Sequence, residues 1–184
     1  MPVRTPSLPC LVLGVAIASC HSPGPYGHAV QYAPVAEEEE AARDARAYDP
    51  VMAQREPEVW RKGKLVLFGV VNGRAPGPGG AAYLTLKVRR LEPRNLCGNA
   101  NDEDSCRVTV SDRDFGVVHV LAALRPEDDT GEKSVGIGSL VRVVGSLGED
   151  VDPADGSPVV RSTFYRHWPR FTFATKANAD VMRQ

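Results

Sequence analysis

Ile137-Gly138-Ser139-Leu140-Val141-Arg142-Val143-Val144-Gly145-Ser146-Leu147 is the stretch from which the rest of the chain is read. Val141 and Val143 flank Arg142, so apolar and polar positions alternate with the period of two that a half-buried strand requires. Outward from it the same signal recurs. Strands are expected at 64–72, 81–91, 107–112, 116–121, 139–147 and 157–166. Between them lie turn formers: Gly73 to Gly80 with two prolines, the Cys97 to Cys106 loop, Asp112-Arg113-Asp114, Pro126 to Gly138, and Gly148 to Gly156. Apart from a brief run at 118–124, nothing between 64 and 166 has a helical period. No repeat of 20–50 residues is present. The expected class is all-β.

Composition sets the outer limits. The chain has 184 residues, 24% charged and 42% hydrophobic, so it can fold around a core and is not a disordered tract. A net charge of −1 removes any argument from bulk charge for nucleic acid or membrane-surface binding. No apolar run reaches the roughly 18 residues that a membrane-spanning helix needs.

The order of glycines and valines narrows the class. Gly138 to Leu147 resembles the fourth strand of OB-folds, with the pattern G-x-x-V-x-V-x-G-x-L, and Gly156-Ser157-Pro158-Val159-Val160-Arg161 resembles the fifth. Phe68-Gly69-Val70-Val71 is similar to the opening strand of that family, Gly69 standing where a barrel strand bends to serve two neighbours. The resemblance covers about 64–168 and implies a small OB-like Greek-key barrel of five to six strands. It departs from the family in having no clear helix between strands three and four. An immunoglobulin-like β-sandwich is the alternative.

The N-terminus is an address. Arg4 opens a short positive region, and 8–19 is apolar apart from Pro9 and Ser19, a length that suits a secretory signal and is too short to span a bilayer. Ile17-Ala18-Ser19-Cys20 resembles a bacterial lipobox. That resemblance implies cleavage before Cys20 and acylation of its thiol and new α-amine, a stable anchor at about 0.8 kcal/mol per buried CH₂. His21 stands where aspartate would retain an enterobacterial lipoprotein at the inner membrane, so the outer membrane is favoured.

The chain therefore divides into a signal peptide at 1–19, a lipid-anchored flexible tether at 20–57 and a β-domain with its tail at 58–184. The tether opens with His21-Ser22-Pro23-Gly24-Pro25, which cannot pack a core. A turn or two of helix is expected after Glu37, with Glu39 and Arg43 at i,i+4, ending near Asp49-Pro50. The tether holds three basic and seven acidic residues, the domain 18 basic and 16 acidic.

Cys10 leaves with the signal and Cys20 takes lipid, which leaves Cys97 and Cys106. An oxidising compartment should join them in a disulfide; no second cysteine pair or nearby histidine supports a metal reading. Asp150-Val151-Asp152-Pro153-Ala154-Asp155-Gly156 begins like a calcium loop, but Ala154 and Arg161 stand where an EF-hand needs oxygen donors, so it reads as a solvated loop, as does 99–104. No G-x-S-x-G, H-E-x-x-H or P-loop is present, and His119, in an apolar strand, reads as a core histidine. No enzyme, cofactor or metal is expected.

What remains is a surface. Alternation puts Tyr83, Thr85, Lys87 and Arg89 on one face of their strand, and Arg161, Thr163, Tyr165 and His167 on one face of theirs, with Arg142 opposing its valines. Aromatic rings interleaved with cations suit stacking and phosphate contact, and OB-folds bind oligonucleotides and oligosaccharides near strands two and three. Tyr83, Lys87, Arg89, Arg142, Arg161, Tyr165 and His167 are therefore the candidate ligand face, and Trp168, Phe171 and Phe173 are expected to close the barrel and pack the tail. The expected function is non-catalytic binding of an envelope protein or glycan by an exported, membrane-anchored lipoprotein. Binding of single-stranded nucleic acid or oligosaccharide through the OB-like face is the alternative, and an unrecognised enzyme is the least favoured reading.

Overall fold

Burial along Ala82–Arg89 follows the sequence period residue by residue: Ala82, Leu84, Leu86 and Val88 are buried, and the residues between them are half-exposed. This strand is β2 of a barrel in the computed structural model, which describes residues 29–99 and 101–179. The signal expected at 1–19 and the lipidation expected at Cys20 lie outside the described residues.

The other barrel strands are β1 (Lys64–Pro76), β3 (Val117–Ala122), β4 (Leu140–Val151) and β5 (Pro158–Trp168). They are ordered β1-β2-β3-β5-β4, and β4 returns to β1, closing the sheet. β3 and β5 run parallel and every other barrel pairing is antiparallel. The fold is all-β, an OB-like barrel of five strands and not a sandwich. β1 makes closure possible because it pairs on both sides: Phe68 lies opposite Arg89 of β2 and Arg142 of β4. At Gly69 a Cβ would come within 2.9 Å of the Leu86 Cβ, so the close approach there requires glycine.

Two cores result. Leu65, Leu67, Leu84, Leu86, Val118, Val120, Val143 and Val160 fill the barrel. Phe68, Val108, Val110, Leu140 and Trp168 form a second cluster, with Tyr32 and Phe173 packed against it. This second cluster explains why the strand expected at 107–112 is not a barrel strand. Cys106–Arg107 pairs with Leu96–Cys97, and Thr109–Val110 pairs with Ala174–Thr175, while Val108 and Val110 are fully buried. Trp168 and Phe173 pack as expected, but Phe171 is 80% exposed.

The segment at 29–57 departs from the expected flexible tether. α1 (Ala36–Ala41) buries Glu38 completely, Arg46–Ala47 pairs in parallel with Leu65–Val66 of β1, and α2 (Pro50–Arg55) and α3 (Pro57–Arg61) add Ala53 and Trp60 to the barrel core. Asp49 starts α2 by accepting the Val51 and Met52 amides, with Pro50 at the first helical position. Arg43 pairs with Glu40 rather than Glu39. A short α4 (Pro126–Asp129) occupies the interval between β3 and β4 where no helix was expected.

Cys97 and Cys106 form the expected disulfide. Cys97→Ser should lower the stability of the oxidised protein by about 2–3 kcal/mol, since so short a loop is cheap to close. Urea denaturation with and without reductant checks this: reduction should destabilise the wild type equally and leave the variant unchanged.

Candidate functional site

The seven residues of the expected ligand face do not form one face. On β2, Lys87 lies 3.5 Å from Asp114, and Arg89 lies 3.2 Å from the same carboxylate while donating to the Ser111 and Asp112 carbonyls. Their charge holds the 111–114 turn. Arg161 lies 3.7 Å from Asp150. Arg142 points out of the barrel as expected, but beneath α1, where it donates to Glu38 at 3.0 Å.

β5 carries the larger correction. Val144 pairs with Phe164 but Gly145 pairs with Ser162, so Thr163 is an extra residue and the alternation changes phase there. Arg161 and Thr163 remain exposed, whereas Tyr165 turns into the barrel core. Its hydroxyl accepts from the Arg125 amide at 2.8 Å and donates to Asp128 at 2.7 Å. His167 is also withdrawn, 3.2 Å from Asp128 and 5% exposed. Tyr165 and His167 thus secure α4 to β5.

That neighbourhood makes stability pH-dependent. Burial holds the His167 imidazole below its ordinary value of 6.5 against the pull of Asp128. Burial pushes the Asp128 carboxyl up, but bonds and charges from Tyr165, Arg125 and His167 outweigh it and hold the carboxyl below the ordinary 3.8. Both groups take up protons more readily in the unfolded chain, so both contribute stability that is lost on acidification. The melting temperature should be level from pH 7 to 9, start to fall near pH 6.5 as unfolded histidine protonates, and fall faster below pH 4. A rise between pH 7 and 5 in a thermal-denaturation series would contradict this.

A tighter constellation lies at the loop between β4 and β5. In the parallel register His119 of β3 sits opposite Val159, so the loop preceding Val159 crosses the histidine. His119 Nε2 lies 3.1 Å from Asp155 Oδ2 and 3.9 Å from Asp152 Oδ2. Its Nδ1 is 3.3 Å from the Thr85 hydroxyl, and the Tyr83 ring stacks on the imidazole with centroids 5.1 Å apart and planes at 10°. The Tyr83 hydroxyl donates to Asp152 at 2.7 Å, and the Ala154 and Ser157 amides donate to Asp152 and Asp155 at 2.8 Å. The Tyr83 bond holds Asp152 below the usual carboxylate range, and the Ser157 amide does the same for Asp155. Desolvation and the bond to Asp152 push Tyr83 up to about 12. Of the expected face, only Tyr83 belongs here. In the sequence Asp152 and Asp155 were read together as a solvated loop and His119 separately as a core histidine; the β3–β5 pairing is what joins them.

Beside this loop opens a cleft of about 400 Å³ between the barrel and the N-terminal helices, lined by Tyr48, Pro50 and Pro57 on one side and Val117, Leu147 and Val151 on the other. Val51 and Met52 on α2, Val59 on α3, and Val151 are exposed apolar side chains.

Strand order and closure define the class: an OB-like five-stranded barrel carrying N-terminal helices. No protein-family model and no curated protein matches the chain. Among solved structures, 17 chains match. One is a deletion mutant of the single-stranded DNA binding protein from Thermus aquaticus, with 20% identity over 57% of this chain and a TM-score of 0.30. The match spans about half of that protein, 49% of its chain.

Proposed function

We propose that the chain is an exported lipoprotein, anchored in the bacterial cell envelope through acylated Cys20, and that its barrel is a non-catalytic binding module for an envelope protein. In a Gram-negative cell the outer membrane is the favoured site. One observation carries the reading. The cleft between α2, α3 and the β4–β5 loop is lined largely by apolar side chains and neighbours exposed Val51, Val59 and Val151, whereas Lys87, Arg89 and Arg161 are each engaged by a carboxylate of the same chain. Exposed apolar side chains beside a cleft suit a protein partner, and the cations of the barrel strands are shared with carboxylates of the same chain.

The test is a photo-crosslinking residue placed at Val51 or Val151 of the full chain in its native envelope, with Arg113 as the control position. One protein adduct from both cleft positions and none from Arg113 is expected. Glycan adducts would move the ligand class to oligosaccharide. Absence of adducts, together with retention of single-stranded nucleic acid that weakens linearly with the logarithm of salt, would replace the reading with the nucleic acid one. Cys20→Ala should release the protein from the detergent phase of an envelope extract. Unchanged partitioning would remove the anchor from the proposal.

A further inference from the structure

One imidazole nitrogen and two carboxylates face one another around His119, a donor set that can hold a cation in place of the proton shared between Nε2 and Asp155. The imidazole comes from β3, is 7% exposed, and directs Nε2 at two carboxylates from a different element. Thr85 on Nδ1 and the stacked Tyr83 fix the ring from behind, the arrangement that orients metal-ligating histidines. Each carboxylate is also oriented by hydrogen bonds: Asp152 by the Ala154 amide on Oδ1 and the Tyr83 hydroxyl on Oδ2, Asp155 by the Ser157 amide on Oδ1. Their inward oxygens therefore converge on Nε2, and one ligand atom from each of the three residues can be chosen so that all lie within 4.8 Å of one another.

We propose that His119 Nε2 and the carboxylates of Asp152 and Asp155 form a three-ligand site for a divalent transition-metal cation such as zinc, with a further coordination position open to solvent. The donor set chooses the class of ion. Imidazole favours zinc and its neighbours over calcium or magnesium, and one nitrogen with two carboxylates is too few oxygens for calcium. Tetrahedral zinc, with ligands at about 2.0–2.2 Å, holds them roughly 3.3 Å apart. The observed 3.1 Å and 3.9 Å separations from Nε2 bracket that spacing, so only the loop carboxylates need to draw in. Three protein ligands leave a fourth position for water or an exogenous oxygen. Asp155 is 42% exposed, which puts the approach on the solvent side of the loop. The proposal is independent of the partner assigned to the cleft.

Calorimetric titration of zinc chloride into the full-length, disulfide-intact chain tests it, with the remaining thiols alkylated and metal removed beforehand by chelation. One zinc per chain is expected, with a melting temperature raised by roughly 5 °C or more at a hundredfold excess over Kd. Asp155→Asn and His119→Gln should each weaken binding at least tenfold. Asp150→Asn, which removes a charge from the same loop but no ligand, should leave it unchanged. Circular dichroism of each variant without metal separates lost ligation from lost folding, and the exposed position of Asp155 makes its variant the safer of the two. Absence of stoichiometric binding, affinity indifferent to Asp155 and His119, or an equal loss in Asp150→Asn would each overturn the proposal.

Discussion

Glu38→Ala should destabilise the protein by about 3–5 kcal/mol, the cost of removing one partner from a buried ionic cluster. Glu38 is fully buried although it lies in a run of four glutamates whose other members are exposed. Its two oxygens accept from Arg142 at 3.0 Å and Arg166 at 2.7 Å, from the Val35 amide at 2.8 Å, and from the Tyr32 hydroxyl. Burial pushes this carboxyl up, yet the bonds from Tyr32, Arg166 and Val35 more than reverse it and keep it ionised below its ordinary value. Alanine leaves two guanidiniums, 12% and 9% exposed, without the carboxylate they share. The loss is a large part of the roughly 5–15 kcal/mol that holds a domain together. Because the cluster ties α1 to β4 and β5, the variant should also be cut faster by proteases within 29–61. Urea denaturation at pH 7 reads the first effect and timed proteolysis the second. A change below about 1 kcal/mol with unaltered cleavage would mean that α1 is not held through this carboxylate.

Gly145→Ala should be comparably damaging, about 3 kcal/mol or more. A Cβ at Gly145 would stand 2.2 Å from the Arg161 carbonyl oxygen and 2.9 Å from its carbon. Neither strand can give way easily. β4 is paired to β1 through Leu65 opposite Gly145, and Arg161 is paired to Leu121 of β3. Relief would require opening the barrel at its β4–β5 seam. Gly136→Ala is the contrasting substitution, since its Cβ would meet nothing nearer than 3.9 Å and its backbone is not left-handed; it should change stability by about 1 kcal/mol or less. Equal midpoints for the two variants in a denaturant series would sink the argument.

Arg142 and Tyr165 mark the boundary of what could be read before folding. Both lie in strands that the alternation located to within a few residues, and the resemblance of the stretches around Gly69 and Gly145 to OB-fold strands favoured a barrel over an immunoglobulin-like sandwich. The disulfide followed from counting cysteines. These signals are local: period two, chain bends and cysteine number are properties of short windows. The orientation of Tyr165 is not local, because it depends on the extra residue at Thr163, which exists only as a mismatch between β5 and β4. Arg142 was correctly turned outward, yet what meets it there is Glu38, 104 residues away, from a segment whose composition reads as spacer.

The cluster at His119 has the same origin. His119, Asp152 and Asp155 look ordinary in the sequence, and the parallel β3–β5 pairing sets the imidazole 3.1 Å from Asp155 and 3.9 Å from Asp152. The sequence alone thus determined the all-β class, the barrel's strands and the covalent bridge, because backbone geometry and thiol pairing are encoded residue by residue. Tertiary structure decided which charges are buried, which face Tyr165 takes and where ligating atoms converge, because strand register and close packing act between residues that the chain keeps far apart.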